Sequence, residues 1–134
     1  MQAIADTGYL VALLREDDEH HAWAEDIARQ VNPMVLTCEA VLAETAFHTN
    51  SVAQVLAMLQ RRAVRVAFDC ASHVEQLHEL AVRYSDRHPD LADLCIIRMS
   101  ELYPRHIVLT VDESDFRVYR RNKREAIPLL CPPK

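Results

Sequence analysis

The sequence predicts a single three-layer α/β domain spanning residues 1–134, with a mostly parallel sheet covered by helices on both faces. Three observations lead there. Ala3–Ala5, Met34–Thr37, Val64–Phe68 and His106–Val111 are short apolar runs, too brief and too apolar for surface helices, as buried parallel strands are. Each is followed by a stretch whose apolar residues recur at helical spacing, and strands that alternate with helices imply a parallel sheet with right-handed crossovers. A chain of 134 residues also suits one domain, since at that size about two thirds of the unfolded surface is buried on folding.

The elements follow in order. Ala3-Ile4-Ala5 leads into Asp6 and then into a helix carrying Tyr9, Leu10, Leu13 and Leu14, so Asp6 stands at a strand-to-helix junction. Glu16, Asp17 and Asp18 form a polar connection to a second helix, His21–Ala28, whose Trp23 and Ile27 should face the core. Pro33 ends that helix before the second strand. Val41, Leu42, Thr45 and Ala46 stripe the next helix, and Asn50 with Ser51 marks a stop and a restart. Ser51 is the expected N-cap of a helix striped by Val52, Val55, Leu56 and Leu59. After the third strand, Ser72 is expected to cap a long helix carrying Val74, Leu77, Leu80, Ala81 and Tyr84. Pro89 separates it from a shorter one with Leu91, Leu94, Cys95, Ile96 and Ile97. His106–Val111 is the clearest strand; a helical turn from Asp115 to Arg121 and an extended segment, Ala126–Leu130, complete the chain.

Composition narrows the function. Half the residues are hydrophobic and about a quarter charged, as in soluble globular proteins. No run approaches the 18 or more apolar residues of a membrane span, and Asp6 interrupts the place where a signal peptide keeps its apolar core, so no membrane association and a cytoplasmic location are expected. Cys38, Cys70, Cys95 and Cys131 lie far apart and suit reduced thiols. No two histidines stand in the H-x-x-x-H spacing of many zinc sites. With Gly8 the only glycine, the P-loop, the G-x-G-x-x-G fingerprint and the G-x-S-x-G elbow are all excluded. A net charge of −5 argues against nucleic-acid binding by overall charge. Arg117, Arg120, Arg121, Lys123 and Arg124 nevertheless crowd one stretch, either a solvated helix face or a local phosphate contact.

Four acidic residues occupy suggestive places, and each has a plain alternative. Asp6 after the first strand, and Asp112 after the fourth, could cap the helices that follow. Asp90-Leu91-Ala92-Asp93 reads as a capping box, and Asp115 could cap the turn after Asp112. Glu44 lies beside an apolar stripe, with Ala40, Val41 and Phe47 one turn away, and is expected to be partly buried. If these carboxylates converge, their repulsion calls for a cation. Oxygen ligands without Cys or His favour hard ions such as Mg²⁺ or Mn²⁺, which take phosphate oxygens as further ligands, and phosphodiester hydrolysis is the chemistry implied.

The motifs Ile4-Ala5-Asp6-Thr7-Gly8-Tyr9-Leu10-Val11-Ala12-Leu13-Leu14, Leu36-Thr37 through Val41-Leu42-Ala43-Glu44-Thr45, Asp90-Leu91-Ala92-Asp93 and Leu109-Thr110-Val111-Asp112-Glu113-Ser114-Asp115-Phe116 resemble, in this order, those of PIN-domain ribonucleases. Among these the chain is most similar to VapC-type toxins of toxin-antitoxin modules. The resemblance implies strand order 3-2-1-4-5, which brings strands 1 and 4 together at the crevice where α/β sheets bind ligands. It makes Asp6, Glu44, Asp93 and Asp112 the catalytic and metal-binding quartet, Asp115 a fifth ligand candidate and Asp90 an accessory. Thr110 matches a hydroxyl position near the site. Gly8 departs from the Ser of many relatives, leaving Thr7 to supply any hydroxyl there.

The expected function is therefore a Mg²⁺- or Mn²⁺-dependent endoribonuclease, the toxin of a type II toxin-antitoxin system, acting on single-stranded or looped RNA. Arg117, Arg120 and Arg121 are candidate phosphate contacts. A cognate antitoxin and a homodimer are the expected partners. The alternatives are a catalytically silent PIN-like module that binds RNA or protein, and a Mg²⁺-dependent phosphatase, against which the missing Asp-x-Asp pair at Asp6 and Gly8 argues.

Overall fold

The computed structural model describes residues 1–134. Five strands, β1 (Ala3–Ala5), β2 (Val35–Thr37), β3 (Val64–Val66), β4 (Ile107–Leu109) and β7 (Leu129–Leu130), form one sheet in the order β3-β2-β1-β4-β7. Every pairing in it is parallel. Helices α1 (Thr7–Leu14), α2 (His21–Ala28), α3 (Glu39–Thr49), α4 (Val52–Gln60), α5 (Val74–Arg83) and α6 (Leu91–Leu102) supply the crossovers and flank the sheet; α7 (Glu113–Val118) follows β4. A two-residue hairpin, β5 (Arg120–Arg121) with β6 (Glu125–Ala126), stands apart.

The expected order is met, with β7 as its fifth strand because the hairpin intervenes in the chain. Central strands flanked on both edges and both faces read as unbroken apolar runs, and all of β1 and β2 is buried. Pro128, which has no N–H to donate, leads into the edge strand; its carbonyl accepts from Val108 N at 2.8 Å. Asn50 ends α3 in the left-handed conformation, φ 52°, and Ser51 caps α4 by accepting from Gln54 N at 3.2 Å, as expected.

Four expectations are corrected. Ser72 does not cap α5; its hydroxyl donates to Asp69 within a 3₁₀ turn, Cys70–His73, that leads into the helix. The helix after Pro89 is the longer of the two, because Asp90 caps it and its apolar residues continue through Met99. The buried stripe of α4 is Val55 and Met58, while Val52 and Leu56 face outward, as Val74 does on α5. The last helix starts at Glu113 because Asp112 caps it, and it stops at Val118, so Arg120 and Arg121 belong to β5.

Gly8 sets how closely α1 approaches the loop after β4. A Cβ there would overlap Val111 Cγ2 and press on Val111 Cβ, which explains the absence of a larger residue. Gly8→Ala should lower stability in the natural sequence by about 1–3 kcal/mol through overpacking. In a Val111→Ala background the same change should raise stability, because the Cγ2 overlap is gone, the remaining Cβ approach of 3.3 Å needs a shift of only a few tenths of an ångström, and Ala gains about 1 kcal/mol over Gly in a helix. Urea denaturation of the four proteins checks this reversal of sign; the same sign in both backgrounds contradicts it.

Candidate active site

Asp6 follows the last residue of β1, and its backbone N–H still pairs with Leu109 O at 3.0 Å. The register Ala5↔Leu109 therefore sets Asp6 beside Thr110. The buried Thr110 hydroxyl donates to Asp6 Oδ2 at 2.6 Å and accepts from Asp112 N at 3.0 Å. Asp6 Oδ1 accepts from Thr7 N at 2.8 Å, capping α1. Thr7 then turns its own hydroxyl to Glu44 Oε1 at 3.0 Å, which ties α3 to the same point. Glu44 is partly buried, as expected, although Phe47, one turn beyond it, is 81% exposed and contributes nothing to that burial.

On the opposite wall, Asp90 caps α6 through Asp93 N at 2.8 Å. Asp93 does not complete the box; its Oδ2 accepts from Tyr119 OH at 3.2 Å. Asp112 caps α7 by accepting from Asp115 N at 3.2 Å. Ligand oxygens of Asp93, Asp112 and Asp115 lie within 4.8 Å of one another, and Asp115 also holds Arg87, Nη1 to Oδ1, at 2.7 Å. Asp6, Glu44, Asp90, Asp93 and Asp112 line one open cavity of about 530 Å³ together with Arg15.

Capping and convergence are thus both present in the same side chains. Burial, opposed by the bonds from Thr110 and Thr7 and reinforced by the charges of Asp112 and Asp90, pushes the Asp6 carboxyl up to about 6. Burial also pushes Asp93 up to about 8, aided by the charges of Asp90, Asp6 and Asp112 and opposed by Tyr119. Burial raises Glu44 and Asp112 as well. Such a site favours either protons or a cation. The close cluster of Asp93, Asp112 and Asp115 offers only carboxylate oxygens, the set preferred by a hard divalent ion, so these residues fit such a cation.

Within the basic stretch, Arg121 is removed from the candidate phosphate contacts by its burial. Arg121 is buried and donates to Ser100 O, Ser100 Oγ, Pro104 O and Glu125, fastening the hairpin to the end of α6. Arg120 donates to Arg117 O and Tyr119 O, and Arg117 pairs with Glu113. Sequence reasoning missed Tyr119 and Arg87. Tyr119 stands within the basic run, where charge dominates the reading, and Arg87 reaches the site across 28 positions of the chain.

The family model for the PIN domain matches residues 3–122. The chain belongs to the PIN-domain family. No curated protein sequence matches it. Among solved structures, this PIN domain is similar to the crystal structure of Mycobacterium tuberculosis VapC20, a sarcin-ricin loop cleaving toxin, with a TM-score of 0.70 and 22% identity over 80% of this chain and 87% of that one. The likeness establishes a shared fold. β7, the edge strand, lies beyond the residues that the PIN model matches.

The raised carboxyls give the metal-free protein a distinctive pH dependence. Unfolded Asp titrates near 4, so between about pH 4 and 8 the folded chain holds protons that the unfolded chain has released. Stability is full below that range and falls as pH rises through about 6 for Asp6 and about 8 for Asp93. With a chelator present, the protein should melt at least about 5 °C lower at pH 8.5 than at pH 5.5. Asp93→Asn should flatten the upper part of the fall. Calorimetry showing equal or rising stability across that range contradicts the assignment.

Proposed function

We propose that this PIN domain is a metal-dependent endoribonuclease, the toxin of a type II toxin-antitoxin system. The observation that supports it is the carboxylate cavity at the carboxyl ends of β1 and β4, the crevice where α/β folds bind ligands. Its similarity to a toxin that cleaves the sarcin-ricin loop favours looped RNA as the substrate class, whose unstacked bases can be splayed out so that the backbone reaches the cavity.

In this reading Asp6, Asp93 and Asp112 hold Mg²⁺ or Mn²⁺, with Glu44 and Asp115 as further candidate ligands. The bound ion would polarise the phosphate, lower the pKa of a water and stabilise the leaving oxygen. Thr110 fixes Asp6 and the backbone of Asp112 together. Glu44, held by Thr7 through one oxygen, keeps the other to orient water. Tyr119 fixes one oxygen of Asp93, and Asp90 fixes the helix start that carries it.

Incubation with stem-loop RNA tests the reading. Cleavage should require Mg²⁺ or Mn²⁺, stop with EDTA, and be lost in Asp6→Asn, Glu44→Gln, Asp93→Asn and Asp112→Asn, each of which still folds. RNA binding without cleavage at any metal concentration would favour the silent module; turnover of small phosphomonoesters without RNA cleavage would favour the phosphatase.

A homodimer and an antitoxin complex belong to the same proposal. Phe47 at the end of α3, with Val52 and Leu56 one turn apart on α4, leaves large apolar side chains 81%, 63% and 52% exposed, the kind of surface that marks a partner site. Light scattering should find a dimer at micromolar concentration. Phe47→Asp with Leu56→Glu should shift it to monomer or release the antitoxin while circular dichroism stays unchanged. An assembly that persists unaltered in this variant rules the surface out.

A further inference from the structure

Of the three carboxylates that come within 4.8 Å of one another, Asp115 is the one already held by a cationic side chain. Arg87 comes from a tight turn, Ser85–Arg87, fixed on both sides. Its backbone N donates to Tyr84 O at 2.9 Å, His88 takes the left-handed conformation at φ 50°, and Pro89 precedes the cap of α6. The guanidinium is therefore aimed from the α6 side of the site at the first turn of α7. About a third of each side chain is exposed, 35% for Arg87 and 32% for Asp115, so the pair is open to competitors from solution.

Asp115 keeps its second oxygen, but a carboxylate already paired with a guanidinium attracts a divalent cation less, because two positive charges would share it. The other arginines near this end of the chain have commitments of their own: Arg121 to buried carbonyls, Arg120 to two backbone oxygens, Arg117 to Glu113. Arg87 alone among them touches the carboxylate cluster. A guanidinium matches phosphate as well as it matches carboxylate, so moving from Asp115 to a phosphodiester exchanges one charge-assisted pair for another.

We propose that Arg87 gates the cluster: in the RNA-free protein its guanidinium offsets the charge of Asp115 and so weakens the cation site, and a substrate phosphate that takes the guanidinium restores that charge. Arg87 is then a phosphate-contacting residue, and RNA and cation each raise the other's affinity by the same factor. The phosphate half rests on the ribonuclease reading above; the competition between Arg87 and a cation for Asp115 does not.

Calorimetric titration of Mn²⁺ into the RNA-free full chain tests the first half with four proteins: the natural sequence, Arg87→Gln, Asp115→Asn and the double variant. Arg87→Gln should tighten Mn²⁺ binding about fivefold or more, and the gain should vanish when Asp115→Asn is also present. Unchanged or weaker binding in Arg87→Gln overturns the inference, as does a gain that persists without the Asp115 carboxylate. If Arg87→Gln fails to fold, Arg87→Met, which keeps the apolar stem and removes the charge, should show the same gain, and no gain there overturns it equally.

The second half is read by fluorescence anisotropy with an uncleavable 2′-O-methyl stem-loop RNA. Saturating Mn²⁺ should tighten RNA binding to the natural sequence. Arg87→Gln should lose that coupling and lower the slope of log affinity against log salt by about 0.7. Undiminished coupling in Arg87→Gln, in a protein that cleaves RNA, overturns this inference alone. Mn²⁺ binding with neither RNA binding nor cleavage overturns the phosphate half together with the ribonuclease reading.

Discussion

The Thr110 hydroxyl gives its proton to Asp6 and takes the amide proton of Asp112, and the geometry of the site depends on that two-way bond. It is available because β1 and β4 are neighbours in register, so the residues just past their ends meet. A hydroxyl is both donor and acceptor, and so one small side chain can serve a carboxylate and a backbone amide at once. Without it Asp6 would keep a buried oxygen with no partner, which is far costlier than an ordinary lost hydrogen bond.

Around that bond the fold gathers carboxylates that repel one another, and it does so with helix starts. Asp6, Asp90 and Asp112 each cap a helix, α1, α6 and α7, and the positive end of a helix dipole favours negative charge. Capping and convergence therefore coincide at Asp6, Asp90 and Asp112: the cap bond fixes one oxygen of each, and all three side chains line the same cavity. The amides offset only part of the charge. Asp93, which caps nothing and has Tyr119 as its side-chain partner, is pushed up further than Asp6.

Much of this was legible in the sequence because the signals were local. Apolar runs of three to six residues, each leading into helical spacing, are enough to place Asp6 directly after a strand and Asp112 near the end of one, although β4 stops at Leu109, before Thr110 and Val111. The order of the motifs supplied the pairing of β1 with β4. Glu44 was placed for a reason that holds only in part: Val41 beside it is buried and Thr7 on α1 bonds it, while Phe47 points to solvent. The errors share a cause. Val52, Leu56 and Val74 fit a helical period, but period alone does not say which of two adjacent stripes the sheet covers. Arg121 looked like surface charge because most arginines are; here the carbonyls at the end of α6 take it inside. Arg87 could not be found at all, since its partner lies 28 positions away and neither residue belongs to a periodic pattern.

On the reading proposed above, this site exchanges protons for a cation, and the raised Asp93 carboxyl is the group that has most to give up. Metal ligation requires deprotonated carboxylates, so binding must release what they hold. Mn²⁺ titration at pH 7 in two buffers of different ionisation enthalpy counts the protons directly. With Asp93 near 8 and Asp6 near 6, release of about one proton per ion bound is the expected result. Binding that releases none would mean that the carboxylates are already ionised in the free protein, and would contradict the account.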